Sequence, residues 1–346
     1  MNYQKRLEKV REIIQSANCD AFLVDDTTNL YYSTGLNLSA GKLLVKRDDA
    51  FLLVDNRYFE FCKNKAPVNV LLSEKTPLES ILNGVSKLAF DSETTSYQDF
   101  LGLQKLLKEV TLVPLPNPIQ KIRGIKDSQE IALLAEAAAL NVTGYEYVKS
   151  LLKEGISEIE IATELEIFWK KKGGQALSFD PIIAFGENSA LPHYHASDTC
   201  LKKGMAVLID IGVKWQGYHS DMSRTLFWGE PPVILREIYE IVQEAQKLAL
   251  ALCKPGTLIG ALDAAARDHI TSKGYGENFL HSLGHGVGLE IHEWPLIRKR
   301  EPYQNIPLEI GMVITIEPGI YLPGVGGVRI EDTIVITSAG YEILTF

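Results

Sequence analysis

Two aspartates in the segment VLIDIGVKWQGYHSDMSRTLF (207–227) are spaced to meet across a β-hairpin. The segment reads as two strands joined by a tight turn. A two-residue turn at 215–216 would place Asp210 directly opposite Asp221, although a β-bulge would shift that register by one residue. Like charges that face each other on a sheet repel. The hairpin is therefore unfavourable unless a cation lies between the two side chains.

A second segment, MVITIEPGIYLPGVGGVRIEDTIVI (312–336), repeats the arrangement with glutamates. A three-residue turn at 323–325 would place Glu317 opposite Glu331. Carboxylates are rarely buried unless they are paired or bound to a metal. Two repulsive pairs on apolar strands therefore predict a fold that gathers four carboxylates around bound cations.

A fifth candidate ligand is His285, in the segment HSLGHGVGLEIHE (281–293). Glycines on both sides of it let the backbone come close to an ion or a substrate. Two Asp, two Glu and one His form an oxygen-rich set that suits two divalent ions bridged by carboxylates. Structural zinc prefers Cys and His, so this donor set predicts a hydrolytic centre.

Composition excludes several classes of partner. The net charge of −9 argues against binding to nucleic acid or to an anionic membrane, which requires a basic surface. The four cysteines are far apart and form no CxxC motif, which is typical of reduced thiols in a cytosolic protein. The charged N-terminus does not resemble a signal peptide, and no apolar run approaches the roughly 20 residues that span a bilayer. We therefore expect a cytoplasmic location.

The chain divides into two predicted domains, 1–120 and 121–346. The first is predicted to be a smaller α/β domain with a mixed sheet, since a charged turn at 47–49 joins two of its strand candidates. Its strand candidates are AFLV (21–24), KLLVK (42–46), AFLLVD (50–55), VNVLL (68–72), KLAFD (87–91) and VTLVPL (110–115). The proline-spaced VPLPNPIQ (113–120) is interpreted as a linker.

The second domain is predicted to be α+β, with helices packed on hairpins. Asp127 with Glu130, and Ser157 with Glu160, have the spacing of capping boxes that open two helices. A third helix places apolar residues on one face between 234 and 252. All seven histidines of the chain lie in this domain, between 193 and 292, so we expect the chemistry there.

The ordered motifs LIDIG, SDMSRT, GHGVGLEIHE, TIEPGIY and RIEDT resemble those of the pita-bread (M24-type) metallopeptidases. Within that family the chain is similar to the Xaa-Pro dipeptidase (prolidase) and aminopeptidase P branch. The resemblance is strong over 125–346, and the first 120 residues are similar to the branch's N-terminal domain. It implies a creatinase/aminopeptidase-like catalytic domain and two divalent ions per subunit. Manganese is expected, with cobalt and zinc left open.

The resemblance also implies roles for single residues. Asp221 and Glu331 would bridge the two ions, Asp210 would complete one site, and His285 with Glu317 would complete the other. The implied catalytic residues are His193, His292 and Glu317, with Glu317 moving the proton. The implied substrate-binding residues are His193, His281, His292 and Arg329.

The implied activity is hydrolysis of the Xaa-Pro bond in small peptides with proline at the second position, and the implied assembly is a homodimer. Xaa-Pro dipeptidase is the first expectation, and aminopeptidase P is the alternative. Methionine aminopeptidase is disfavoured, since Arg329 stands where that family usually carries Gln and the chain has an extra N-terminal domain. A metal-free binding module of the same fold is the non-enzymatic alternative, and the intact ligand set argues against it.

Overall fold

The computed structural model describes all residues from 1 to 346. The chain forms two compact units, Met1–Arg123 and Gly124–Phe346. None of its helices combines the length and the hydropathy that crossing a lipid bilayer demands.

The first unit is a six-stranded mixed sheet with helices. Its elements are α1 (Tyr3–Ser16), β1 (Ala21–Val24), α2 (Thr27–Thr34), β2 (Lys42–Lys46), β3 (Ala50–Val54), α3 (Phe59–Lys63), β4 (Asn69–Leu72), a 3₁₀ turn (Leu78–Ile81), β5 (Lys87–Asp91), α4 (Tyr97–Leu106), β6 (Thr111–Leu115) and α5 (Pro118–Arg123). The strand order is β4-β3-β2-β1-β5-β6. Strand β2 is antiparallel to both neighbours, and the remaining pairs are parallel. The predicted mixed sheet and the predicted hairpin at 47–49 are confirmed.

The interpretation of 113–120 as a linker is wrong. Residues 113–115 belong to the edge strand β6, and Pro118 is the first residue of helix α5. The Thr111 N–H donates to the Ser86 carbonyl oxygen, and the Leu115 carbonyl oxygen accepts from the Ser92 N–H. The backbone groups of residues 111 and 115 thus point toward the neighbouring strand. Because successive residues of a strand point their backbone groups to opposite sides, Pro114 faces the outer edge of the sheet. Both prolines therefore occupy positions where no N–H is needed.

The second unit begins with two helices on antiparallel strands. Its first half contains α6 (Ser128–Leu151), α7 (Glu158–Lys171), β7 (Ala176–Leu177), β8 (Ile182–Phe185), a 3₁₀ turn (Gly186–Ala190), β9 (Met205–Ile211), β10 (Val213–Trp215), β11 (Tyr218–His219) and β12 (Met222–Trp228). Both predicted capping boxes are present at the starts of α6 and α7. Strands pair as β12-β9-β8 and as β11-β10-β7. Ile161, Leu165 and Trp169 of α7 pack with Ile183, Val207 and Ile209 in the core of this half.

The second half repeats this plan. It contains α8 (Val233–Leu250), α9 (Ile259–Ser272), a 3₁₀ turn (Gly276–Asn278), β13 (Gly284–Gly286), β14 (Glu293–Ile297), β15 (Val313–Ile316), β16 (Gly319–Leu322), β17 (Gly326–Arg329), β18 (Asp332–Thr337) and β19 (Gly340–Ile343). The five-stranded sheet has the order β14-β13-β15-β18-β19, and β16 pairs with β17. Apolar residues of α8 and α9, such as Ile238 and Leu262, pack with Ile314 and Ile334 of the sheet. The predicted α+β class is confirmed.

The glutamate hairpin has the predicted register. Ile316 lies opposite Asp332, and Gly319 lies opposite Arg329. Glu317 and Glu331 therefore face each other at the break between the two ladders, with the turn at 323–325 as expected.

The aspartate hairpin has a different register from the predicted one. Ser223, rather than Asp221, lies opposite Asp210, because the two-residue turn is at Gln216-Gly217 rather than at 215–216. Both turn residues have positive φ, 46° and 90°, as a type I′ turn requires. The shift of two residues keeps both aspartates on one face. They are diagonal neighbours rather than a directly opposed pair.

Candidate metal centre

Five candidate ligands lie at or beside strand ends of the second unit. Asp210 is on β9, Asp221 immediately precedes β12, His285 is in β13, Glu317 immediately follows β15, and Glu331 immediately precedes β18. Four of these side chains are buried and Glu317 is partly buried. The strands of both halves thus converge on one acidic centre.

All nine residues that the sequence predicts for the site line a single cavity of about 340 Å³. They are His193, Asp210, Asp221, His281, His285, His292, Glu317, Arg329 and Glu331. The remaining wall is largely apolar and includes Phe179, Ile182, Ile291 and Leu296. The cavity therefore combines a charged floor with an apolar side.

The protonation of His285 follows from its neighbours. Its Nδ1 lies 3.0 Å from the carbonyl oxygen of Gly286, which can only accept, so Nδ1 carries the proton. Its Nε2 lies 3.5 Å from Asp221 Oδ2 and 3.4 Å from Glu317 Oε1. Burial, followed by the nearby His292, lowers the pKa of His285 to about 3. A neutral ring thus presents a lone pair toward two carboxylate oxygens, which is the tautomer a metal ligand needs.

The buried carboxylates destabilise one another as anions. Burial, followed by the charges of Glu331, Asp210 and Glu317, raises the pKa of Asp221 well above its usual range. Burial, followed by the charge of Glu331, also raises the pKa of Glu317 well above its usual range. Burial, with Asp210 next, raises the pKa of Glu331 to about 8. A divalent cation would remove the like-charge repulsion and favour the ionised forms.

The residues fit divalent metal ions. Ligand atoms of Asp221, His285 and Glu331 all lie within 4.8 Å of one another. The buried Oδ1 of Asp210 has no hydrogen-bond partner, although buried polar atoms are normally satisfied. Hard carboxylate oxygens with one imidazole are donors that suit Mn²⁺, Co²⁺ or Zn²⁺.

Arg329 links Asp210 and Glu331 through hydrogen bonds. Its Nη2 donates to Asp210 Oδ2 at 2.5 Å and its Nε donates to Ser223 Oγ at 3.0 Å. The Ser223 hydroxyl in turn donates to Glu331 Oε2 at 2.7 Å. Burial by itself would lower the pKa of Arg329, but Tyr321 and Asp210 outweigh it and raise that pKa well above its usual range. Arg329 is thus a permanent cation that orients two of the candidate ligands.

A second chain of hydrogen bonds leads from Arg329 to His281. Arg329 Nη1 donates to the Tyr321 hydroxyl at 2.8 Å, and that oxygen lies 2.8 Å from His281 Nε2. His281 Nδ1 lies 2.8 Å from the Ser282 carbonyl oxygen, so Nδ1 carries the proton and Nε2 accepts from Tyr321. Burial, with Arg329 next, lowers the pKa of His281 to about 4. His281 is therefore neutral and fixed in orientation.

His193 and His292 form the outer rim of the cavity. Both rings are exposed on one side, and the His292 ring packs edge-on against His285 with centroids 4.3 Å apart. Partial burial, with His193 next, lowers the pKa of His292. A neutral imidazole at this rim can donate or accept a proton near neutral pH.

Sequence reasoning assigned no role to Ser223, Tyr321 or Glu158. The first two lie inside the quoted motifs SDMSRT and TIEPGIY, so their positions were visible although their contacts were not. Glu158 lies outside the family motifs, between the two residues of the second capping box. Its fully buried carboxylate accepts hydrogen bonds from Phe185 N (2.7 Å), Asn188 Nδ2 (2.9 Å), Tyr194 Oη (2.8 Å), Ser197 N (3.1 Å) and Ser197 Oγ (2.9 Å). These donors flank His193, so Glu158 holds the segment that carries that residue.

Comparison with known families supports the same conclusion. Residues 132–338, more than half of the chain, match the model of metallopeptidase family M24. The chain belongs to the M24 metallopeptidases. Residues 6–125 match the creatinase/prolidase N-terminal domain, so this M24 peptidase has the two-domain organisation of a pita-bread catalytic domain preceded by an α/β domain.

Relatives of this M24 peptidase are similar over nearly their whole length. The Xaa-Pro dipeptidase of Pyrococcus furiosus is 39% identical, with 99% of this chain and 98% of the relative covered. The structure of an Xaa-Pro dipeptidase from Bacillus anthracis is 38% identical, with a TM-score of 0.94 over 99% of this chain and 98% of that one. An X-Pro aminopeptidase from Thermotoga maritima is 33% identical, with a TM-score of 0.87 over 96% and 97%. The family assignment and the pita-bread fold predicted from the motifs are confirmed.

Proposed function

We propose that this M24 metallopeptidase hydrolyses the bond between an N-terminal residue and proline, as an Xaa-Pro dipeptidase. The strongest support is the cavity itself, in which the five candidate ligands face the apolar wall of Phe179, Ile182, Ile291 and Leu296. A prolyl bond has no N–H to donate and carries a rigid apolar ring. An apolar wall therefore selects proline better than a backbone acceptor would. The full-length relatives named Xaa-Pro dipeptidases support the same activity.

We further propose that two divalent ions bind per subunit. Asp221 and Glu331 are the proposed bridging ligands, Asp210 completes one site, and His285 with Glu317 completes the other. The support is the donor set, the tautomer of His285 and the unpartnered Asp210 Oδ1. Manganese is the proposed metal because carboxylate-rich sites suit it, with cobalt and zinc as alternatives.

When bound, the ions polarise the scissile carbonyl and lower the pKa of a water nucleophile. Glu317 takes the proton of that water and returns it to the proline nitrogen, which needs one to leave. His292 and His193, at the rim, donate hydrogen bonds to the oxyanion that develops on the carbonyl. The substrate ammonium is proposed to lie beside Asp210, which makes the enzyme an exopeptidase.

Arg329 and His281 contribute to this chemistry by holding neighbouring side chains in the cavity wall in place. Arg329 donates a hydrogen bond to Asp210 and, through Ser223, holds the Glu331 carboxylate in place. The Tyr321 hydroxyl joins Arg329 to His281, so the substrate-facing side of His281 keeps one orientation.

Turnover of Ala-Pro and Gly-Pro after loading with Mn²⁺, Co²⁺ or Zn²⁺ tests this function. Ala-Ala and Met-Ala serve as matched substrates that lack proline. Release of free proline, with little cleavage of the other two dipeptides, is expected. Equal cleavage of Met-Ala would favour methionine aminopeptidase instead. Metal binding without cleavage of any of these peptides would favour the non-enzymatic module.

Aminopeptidase P is the second candidate, supported by the similarity to the X-Pro aminopeptidase of Thermotoga maritima.

A homodimer is also proposed, with sedimentation equilibrium as its test. The proposed cytoplasmic location is supported by the four unpaired cysteines, three of which are buried. Fractionation of cells would test it.

A further inference from the structure

The turn at 287–292 joins strands β13 and β14 and carries two residues of the metal cavity. Ile291 belongs to the apolar wall, and His292 lies at the rim. The imidazole of His292 forms no hydrogen bond within the chain, and its one ring contact is the edge-on packing against His285. His285 and His281, by contrast, each bond a backbone carbonyl oxygen. The orientation of the His292 ring therefore depends on the backbone that carries it.

A buried ion pair contacts this turn. Lys126 Nζ lies 3.3 Å from Glu293 Oε2, and each of the two side chains is only 1% exposed. Glu293 directly follows the turn, and its Oε1 accepts a hydrogen bond from the backbone N–H of Glu290 at 3.1 Å. A Cβ at Gly288 would collide with the same carboxylate. The Glu293 carboxylate thus packs against the backbone of its own turn at two points.

The surroundings of the turn are fixed as well. The Val287 N–H donates to the Val313 carbonyl oxygen at 3.1 Å, and the Gly288 carbonyl oxygen accepts from the His219 N–H at 2.8 Å. These bonds attach the first half of the turn to neighbouring segments. The Lys126 N–H donates to the Gly311 carbonyl oxygen at 2.9 Å, so the ammonium group extends from a fixed backbone. The ion pair in turn holds the second half of the turn, which leads into His292.

Stability alone does not account for this ion pair. Replacing a buried ion pair with apolar residues of similar size is often neutral or stabilising. An apolar pair, however, would offer no acceptor to the Glu290 N–H, whereas an ionised carboxylate makes a stronger hydrogen bond than a neutral acceptor. The ion pair therefore fixes a backbone geometry that apolar packing would leave unspecified.

We propose that Glu293 and Lys126 are positioning residues for His292, which hold its imidazole at the place where it meets the substrate. The proposal rests on the proposed function, because it presumes that His292 acts on the scissile carbonyl. It deepens that function by assigning the orientation of a rim histidine to a buried ion pair that lines no part of the metal cavity.

The test is a double-mutant cycle between the ion pair and His292. The pair variant combines Lys126→Met with Glu293→Met, because a single replacement would leave a buried charge without its partner. It is made in the wild type and in His292→Ala. Gly288→Ala, in the same two backgrounds, is the second variant, since it keeps both charges and displaces the carboxylate.

Glu309→Gln, which removes an exposed glutamate of the same unit, is the charge control. The measurements are kcat and KM for Ala-Pro, metal content and melting temperature. Melting temperatures close to those of the parent proteins exclude misfolding as the cause of any loss.

In the wild-type background the pair variant is expected to lower kcat about tenfold, as a small misplacement of a group at the reacting centre does. KM and metal content should stay within about twofold of the wild type. In the His292→Ala background the same replacement should change kcat by less than about twofold, because the group that the pair positions is absent. Gly288→Ala should give the same pattern, and Glu309→Gln should change neither kcat nor KM.

An equal loss of kcat in both backgrounds would overturn the proposal, since the pair would then act independently of His292. An unchanged kcat would overturn it as well, and so would loss of metal, which would place the effect at His285. A rise in KM alone would assign the effect to the apolar wall at Ile291 instead. Failure of the metal-loaded wild type to cleave Ala-Pro would reject the proposed function, and this role of the ion pair with it.

Discussion

In the metal-free protein, the free energy of unfolding should fall as the pH rises from 6.5 to 9. The cause is the burial of Glu331 beside Asp210, which raises its pKa from the ordinary 4.5 to about 8. In the folded, metal-free protein this carboxyl is protonated at pH 6.5, whereas in the unfolded chain it is ionised. The unfolded state therefore binds fewer protons, so stability falls as the pH rises. The contribution of the protonated group is fully present below pH 4.5 and is lost as the pH rises through 8.

The pKa of Glu331 sets the magnitude. Between pH 6.5 and 9 the loss from this group is about 2 kcal/mol, since one pKa unit corresponds to about 1.4 kcal/mol. That corresponds to about 4–8 °C in melting temperature for a unit of this size. Asp221 and Glu317, whose pKa values are also raised, act in the same direction.

This pH window separates the acids from other groups. The pKa values of His285 and His281 are lowered from 6.5 to about 3 and about 4. Their contribution has the opposite sign, because it is complete above pH 6.5 and is lost only as the pH falls below it. The buried thiol of Cys253, with its pKa raised from 9.0 to about 12, acts above pH 9.

The assay is thermal unfolding, followed by circular dichroism in the presence of a chelator. The Glu331→Gln variant is the control, since it keeps an oxygen for the Ser223 hydroxyl but cannot titrate. Its metal-free form should lose about 2 kcal/mol less over the same window. Metal-loaded wild type should show little of this dependence, because bound cations hold the carboxylates ionised. A metal-free melting temperature that is constant or rises from pH 6.5 to 9 would refute the reasoning.

Three further predictions concern single side chains. Asp221→Asn should empty both metal positions, as measured by metal content after dialysis, and a variant that keeps two ions with normal turnover would disprove the bridging role. His193→Ala and His292→Ala should each lower kcat by about 100-fold with metal content intact, so loss of metal would make that histidine a ligand instead. Glu158→Gln, in which an amide nitrogen replaces one acceptor oxygen, should lower both the melting temperature and kcat without loss of metal. Glu154→Gln, on the exposed surface nearby, is the control and should change neither. A normal kcat in Glu158→Gln would show that the segment carrying His193 does not depend on the hydrogen bonds to Glu158.

The register of the two hairpins shows what the sequence can and cannot predict. Side-chain alternation has a period of two, so the face of each acid is readable from the pattern alone. The predicted aspartate turn lies one residue too early, which shifts the strand pairing by two residues, because the position of the turn depends on backbone φ. Gln216 and Gly217 both adopt positive φ, and glycine at the second turn position is the signal that favours this placement. The prediction of the site holds in spite of this shift, because a shift of two residues leaves both aspartates on the same face of the hairpin.

Hydrogen bonds between residues far apart in the sequence could not be predicted, because they produce no local sequence pattern. Tyr321 and His281 are separated by 40 residues, and Glu158 and Ser197 by 39. Their hydrogen bonds exist only because packing brings distant segments together. The prediction of a linker at 113–120 is wrong for a different reason. Proline is also tolerated at an outward-facing position of an edge strand and in the first turn of a helix. Neither position can be told from a linker by composition.

Pro114 has a consequence for how two copies of the chain can associate. An edge strand presents a row of backbone donors and acceptors on which a second chain can build. On β6 the outward-facing donor at Pro114 is missing, because its nitrogen carries no hydrogen. Continuous strand addition across this edge would leave an acceptor of the incoming strand without its bond. Pro114 therefore disfavours association of two copies by strand addition at this edge of the sheet.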